Sequence, residues 1–199
     1  MKIFGDYRSG NCYKLKLVTA LLGIEHQWIP VDILAGEAST AEFERLNPNR
    51  KIPLLQLADG RTLAESNAIL NYLARGSELE PSGDFDRAKG QQWQFFEQYS
   101  HEPCIAVARF IAVYLGLPDS RRAEYESKQA GGHKALAVME RQLEQTEYLV
   151  GSALSTADIS LYAYTHVANE GGFELARYPA IQDWLAKIES TTGYVTMEA

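Results

Sequence analysis

The sequence predicts an α/β domain followed by an all-α domain. Three observations carry that expectation. The first 76 residues alternate short strand-like and helix-like pieces. The stretch GSELEPSGDFD, residues 76–86, mixes glycine, serine, proline and acids without a period, which marks a connection. Everything beyond it shows helical spacing. The expected division is 1–76, a linker over 77–86, and a helical bundle over 87–199. A chain of 199 residues is comfortable for two small domains.

Each element follows from local pattern. KIFG, residues 2–5, reads as a short strand. CYKLKLVTALLG reads as a helix, with Cys12, Leu15, Val18 or Thr19, and Leu22 along one face and Gly23 as its stop. HQWIPVDI is β-rich, and Pro30 places it at a sheet edge because proline cannot donate to the ladder. STAEFERLNP is a short helix, capped by Ser39 or Thr40 and ended by Asn47-Pro48. PLLQLADGRTLAE is a hairpin about Asp59-Gly60. SNAILNYLAR is a helix with Ser66 as its expected cap and Ile69, Leu70 and Leu73 on one face. The order is βαβαββα. Its βαβ crossover requires parallel pairing and its hairpin adds antiparallel strands.

In the second half, residues 84–116 form one long amphipathic run, in which Pro103 is expected to make a kink. Residues 120–149 form one further helix or two, and Ser155 to about Glu170 and Pro179–Ser190 complete the bundle. STAD at 155–158 is a capping box, with Asp158 near the third helical position, and has no catalytic part.

Composition excludes several classes of function. A net charge of -7 argues against a nucleic-acid partner, which calls for a basic face. No apolar run reaches membrane-spanning length. Cys12 and Cys104 form neither a CxxC pair nor a metal spacing, so a reducing compartment fits. His26, His101, His133 and His166 are scattered, so no metal is expected. Asp6, Arg8, Asn11, Lys14 and Lys16 interrupt what a signal peptide would keep apolar, and the expected location is the cytoplasm.

Three stretches carry a resemblance: RSGNCYKLKL at the first strand-to-helix turn, NPNRKIPLLQLADGRTLAESNAIL at 47–70, and STADISLYAY at 155–164. Together they resemble a bacterial, cytosolic-type glutathione S-transferase over the full length. The resemblance implies a thioredoxin-like N-terminal domain that binds glutathione as co-substrate. It also implies a helical domain that walls the second substrate, and a homodimer.

Residue by residue, the resemblance implies a cis Ile52-Pro53 bond, with the Ile52 backbone pairing the cysteinyl part of glutathione. Proline lowers the cis penalty to roughly 0.5–1 kcal/mol, although a trans proline opening the strand fits the sequence as well. Ser66, at a helix start with free N–H groups, suits the γ-glutamyl carboxylate, and Glu65 the ammonium group. Simple capping beside an exposed acid is the plainer reading of that pair. Lys51 either neutralises the glycyl carboxylate or is a solvated neighbour of Arg50. Arg109 either faces glutathione or forms an ion pair. Glu37 matches a polar contact only loosely. Trp93, Phe95, Phe96 and Tyr99 read as core or dimer interface, and Tyr114 and Tyr164 as candidates for the second-substrate wall.

The span SGNC then has three readings. A phosphate loop needs more glycines and a GK[ST] ending. A thioredoxin-type redox site needs CxxC, but the nucleophile's position holds Ser9, and only Cys12 remains. The third reading has the sulfur arrive with the ligand. A free thiol, with a pKa of roughly 8.5, is only a few per cent ionised at neutral pH. A hydroxyl donor and a helix N-terminus favour the thiolate; a shift of about 2 units needs ~2.7 kcal/mol. Ser9 matches the catalytic serine of serine-type members, and Asn11 an asparagine that helps hold the sulfur. Cys12 is either a buried helix-face residue or, if exposed, a partner for a mixed disulfide. The expected activity is glutathione transfer to a small apolar electrophile. The alternatives are a glutathione-dependent disulfide or peroxide reductase and a non-catalytic binding module.

Overall fold

The computed structural model describes residues 1–198, and the chain divides into two compact units. The first contains β1 (Lys2–Gly5), α1 (Gly10–Leu21), β2 (Gln27–Pro30), α2 (Ala41–Leu46), β3 (Leu54–Gln56), β4 (Thr62–Ala64) and α3 (Ser66–Ala74). Its sheet runs β2-β1-β3-β4. β1 pairs parallel with β2 and antiparallel with β3, which pairs antiparallel with β4. Pro30 therefore lies on an edge strand, where its missing N–H breaks no interior ladder.

Side chains alternate across this sheet. Phe4, Leu54 and Ala64 pack with Val31, Ala38 and Phe43 on the α2 side. Ile3 and Leu55 point to the other face and are fully buried, as are Leu15 and Val18 of α1 and Ile69 and Leu70 of α3. The two helices pack together there. Gly5 sets how closely α1 approaches β1. A Cβ at this position would lie 2.9 Å from Cys12 Sγ and 3.0 Å from Trp28 Cζ2, closer than packed atoms tolerate. The end of β1 and the start of α1 are thus held together, and the connection between them is short.

Residues 192–198 also belong to the first unit. The Tyr13 hydroxyl donates to the Val195 carbonyl at 2.7 Å, and Lys16 Nζ donates to the Met197 carbonyl at 2.9 Å. This corrects the expectation that the helical domain continues to residue 199. Apolar periodicity ends at α8 in the sequence, and nothing local says that the tail returns to α1.

The second unit, Glu78–Thr191, is helical. It holds α4 (Asp84–Phe96), α5 (Glu102–Arg109), α6 (Asp119–Leu143), α7 (Thr156–Thr165) and α8 (Pro179–Glu189). α4 starts inside the expected linker. Pro103 lies inside a helical run, directly after Glu97–His101, which widen into a π segment where proline's missing N–H and ring disturb the α pattern. The long run expected from the sequence is present: α4, the π segment, α5 and a second π segment at Phe110–Tyr114 follow one another without leaving helical backbone. Ser155 caps α7: its backbone N–H and hydroxyl both donate to Asp158 Oδ2, at 3.0 and 2.8 Å. α8 is capped from another helix. Glu140 of α6 accepts from Ala180 N and Ile181 N, each at 2.9 Å. Of the aromatic cluster, Trp93 is buried with half-buried Phe96 edge-on against it at 5.3 Å, whereas Phe95 and Tyr99 are 72% and 88% exposed, so internal packing accounts for Trp93 and Phe96 only.

Candidate functional site

The turn between β1 and α1 is organised by Asp6. Its carbonyl accepts from Ser9 N at 3.1 Å, and its carboxylate accepts from Arg8 N at 2.8 Å. Ser9 is the N-cap of α1, with extended backbone, and its Oγ accepts from Cys12 N at 3.4 Å. A hydroxyl has two lone pairs and one proton. Capping uses a lone pair, so the cap role and a donor role are compatible at one oxygen. Ser9 is half-buried while Cys12 is fully buried. Burial pushes the Cys12 thiol up to about 12, against the Ser9 hydroxyl and the Asp6 backbone, which pull it down. Of the two sequence readings of Cys12, the structure shows the buried one.

α3 begins differently from the expectation. Glu65, not Ser66, holds the N-cap position, and Ser66 is the first helical residue. The reason lies in the backbone: Glu65 has φ 68°, a conformation that L residues rarely adopt. Such backbone costs on the order of 1–3 kcal/mol and persists only where surroundings impose it. The Glu65 side chain is exposed, and Ser66 is buried.

Ser66 joins a network that the sequence reasoning missed. Its hydroxyl donates to Asn11 Oδ1 at 2.9 Å. Lys14, fully buried, donates through Nζ to the same Asn11 oxygen at 2.9 Å and to Ser66 Oγ at 3.2 Å. The first turn of α1 is thereby tied to the first residue of α3. Helical spacing carried a signal for this. Lys14 lies three and four residues before buried Leu17 and Val18, so it shares their face. The hydroxyl proton of Ser66 is committed to Asn11, which leaves the backbone N–H as this residue's donor toward a bound carboxylate.

The third part of the site is the loop before β3. The Ile52–Pro53 bond is cis. Asn47, buried, holds this loop: its Nδ2 donates to the Lys51 carbonyl at 2.7 Å, and its Oδ1 accepts from Asn49 N at 3.1 Å. Lys51 itself is exposed, and Arg50 pairs with Glu44 at 2.6 Å. Glu37 accepts from Asp32 N at 2.7 Å, a bond within its own loop. Ser9, Asn11 and Ser66 are therefore brought together around two helix starts, and Lys51, Ile52 and Pro53 share the loop that leads into β3.

Residues 8–75 match the family described as glutathione S-transferase, N-terminal domain, and residues 104–191 match glutathione S-transferase, C-terminal domain. The chain belongs to the glutathione S-transferase family. Its structure is similar to a glutathione S-transferase from Pseudomonas fluorescens, at 58% identity and TM-score 0.98, covering 100% of this chain and 98% of that one. It is also similar to a glutathione transferase of Phanerochaete chrysosporium in complex with oxidized glutathione, at 25% identity and TM-score 0.87, covering 96% and 91%. Among curated proteins it is 29% identical to the disulfide-bond oxidoreductase YfcG of Escherichia coli (strain K12), over 95% of this chain and 91% of the relative. As a member of this family the chain is a glutathione transferase-like enzyme, with the thioredoxin-like and helical units that the sequence led one to expect.

In the helical unit of this transferase-like chain, the remaining candidates have internal partners. Arg109 is buried and pairs with Glu170 at 2.6 Å, the ion-pair reading of this residue. That bond accounts for its burial without a ligand. Tyr164 is buried, and Tyr114 stacks on Phe110 with centroids 5.1 Å apart. Among the described residues, no helix is long and apolar enough to cross a membrane, and no group of three or more His, Cys, Asp or Glu is placed to hold a metal ion.

Proposed function

We propose that this protein is a glutathione transferase that uses Ser9 and Asn11 to stabilise the thiolate of bound glutathione for attack on a small apolar electrophile. The observation that carries this reading is the division of roles in the first loop. The loop's own sulfur, Cys12, is buried with its proton held on, whereas Ser9 is half-buried at a helix start. A nucleophilic thiol must ionise and reach its target. Cys12 does neither, so the attacking sulfur belongs to the ligand. The start of α3, with Ser66 N–H and Glu65, receives the γ-glutamyl end. Ile52 and Lys51, beside the cis Pro53, take the cysteinyl and glycyl parts. Catalysis is nucleophile activation plus proximity: glutathione loses its thiol proton to solvent, the thiolate attacks the electrophile, and either the leaving group departs with the bonding electrons or the carbanion formed from a double bond takes a proton back from solvent. The protein acts in the cytoplasm as a homodimer, with glutathione as co-substrate.

A second reading, a glutathione-dependent disulfide reductase, is favoured by the likeness to a disulfide-bond oxidoreductase. The same thiolate would then attack a disulfide sulfur. Ser9→Ala tests the shared core of both. The expected variant is still retained on glutathione-agarose but has lost the thiolate absorbance of bound glutathione and conjugates chlorodinitrobenzene at least about tenfold more slowly. Unchanged turnover would remove Ser9 from the mechanism. Rates with chlorodinitrobenzene and with a glutathione mixed disulfide, measured side by side on the wild type, decide between the two reactions.

A further inference from the structure

Lys14 is an unusual residue to bury. Its ammonium has no accessible surface, yet it lies in the second turn of α1, between two helix starts that the proposed function assigns to glutathione. A buried ammonium persists where it is hydrogen-bonded. Asn11 and Ser66, which accept from it, are uncharged side chains of the site itself.

The bonding pattern fixes more than distance. An ammonium only donates, so the Asn11 atom 2.9 Å away must be the carboxamide oxygen. The Ser66 hydroxyl donates to that same oxygen. Two donors thus hold the oxygen on the Lys14 side, and the planar carboxamide turns its NH2 to the opposite edge. The rotation matters chemically. An NH2 edge stabilises a thiolate, and a carbonyl edge repels one.

We propose that Lys14 is a positioning residue for the glutathione sulfur: it locks the Asn11 carboxamide with its donor edge turned toward the thiolate. This inference rests on the proposed binding of glutathione at those starts. It gives Lys14 a role that contact with the ligand would not reveal, because the ammonium acts through Asn11 and Ser66.

Four proteins test it: wild type, Lys14→Met, Lys14→Arg and Asn11→Asp. The readouts are the thiolate absorbance of bound glutathione at neutral pH, the affinity for S-methylglutathione, which has no ionisable sulfur, and the kcat and KM for conjugation. Lys14→Met is expected to lower the thiolate fraction about tenfold, one pKa unit, while S-methylglutathione affinity changes less than about threefold. The loss should appear in kcat rather than KM. Lys14→Arg should recover thiolate that Lys14→Met lacks, as a second cation at the same place. Asn11→Asp keeps an oxygen for Lys14 and Ser66 but replaces the NH2, and should lose thiolate by at least about tenfold even if Lys14→Met does not fold. An unchanged thiolate signal in Lys14→Met or Asn11→Asp overturns the proposal. So does a parallel fall in thiolate and S-methylglutathione affinity in Lys14→Met, since that is what loss of a merely structural tie would give. A wild type that binds neither ligand overturns the proposed function itself; a wild type that activates the thiol no better than Lys14→Met overturns the Lys14 role alone.

Discussion

Native Cys12 is expected to be almost inert toward alkylation. Its thiol is pushed up to about 12 by burial, from an ordinary thiol value of 9.0. At about pH 8 a free cysteine with a pKa near 8.5 is roughly a quarter thiolate, whereas a group at 12 is about one part in ten thousand. The rate ratio from ionisation alone is therefore about 2,000-fold. The sulfur is also inaccessible, so reagent must wait for local opening. The assay is iodoacetamide labelling of the native protein followed by peptide mass spectrometry, with the urea-unfolded chain as the reference for full reactivity. A stability measurement supplies a second arm. The unfolded chain loses the Cys12 proton near pH 9 and the folded chain keeps it to about 12. Stability from this group is complete below about pH 9 and declines as pH rises from there toward 12. By pH 10 the loss is about 1.4 kcal/mol, and Cys12→Ala should not show it. Labelling of native Cys12 within an order of magnitude of the unfolded rate would refute the reasoning, and it would return the loop's own sulfur to the set of candidate nucleophiles.

Two further outcomes test the frame around the site. His166 is held down to about 4, mainly by burial, although its Nδ1–H donates to the Tyr162 carbonyl at 2.9 Å. Since the unfolded chain takes up this proton near 6.5, stability should be complete above that pH and fall by about 2 kcal/mol by pH 5, a loss that urea titrations should find absent in His166→Gln. Glu140→Ala removes both acceptors at the start of α8 and should cost roughly 2–4 kcal/mol in urea unfolding. Glu140→Gln, which keeps one oxygen, should cost about half as much with an unchanged denaturant slope.

The first domain was legible because each of its elements is announced locally. Thr40 caps α2 and Asp59-Gly60 turns the hairpin. Pro30 marks an edge, and the alternation of Ile3 with Phe4 separates two buried faces. What stayed hidden depends on contacts distant in sequence. Glu140 caps a helix about forty residues away, and the tail is held by Tyr13 and Lys16. Helical spacing puts Lys14 on the buried face of Leu17 and Val18, but its link to Ser66 shows only once α3 is placed beside it. At Ser66 the local rule itself failed. Serine before an apolar run predicts a cap, but the positive φ of Glu65 starts the helix one residue earlier than that rule supposes.

That shift by one residue changes how the γ-glutamyl carboxylate is expected to bind. A capping serine turns its oxygen toward the free N–H groups of its own helix. Ser66 instead directs its proton to Asn11 and receives Lys14, so its hydroxyl faces the neighbouring helix. Under the proposed function, recognition of the carboxylate at α3 then falls to the backbone N–H and the positive helix end, which any residue but proline at position 66 supplies. Ser66→Ala should accordingly hold S-methylglutathione to within about threefold of wild type, an effect below about 0.7 kcal/mol. The same variant removes one of the two donors that orient Asn11, so its thiolate fraction should fall more than its affinity. A side-chain contact between Ser66 and the carboxylate gives the opposite order, with affinity for S-methylglutathione falling about tenfold or more and thiolate formation intact in whatever remains bound. Calorimetry with S-methylglutathione and thiolate absorbance with glutathione, on this one variant, separate a serine that binds the ligand from a serine that holds the residue that does.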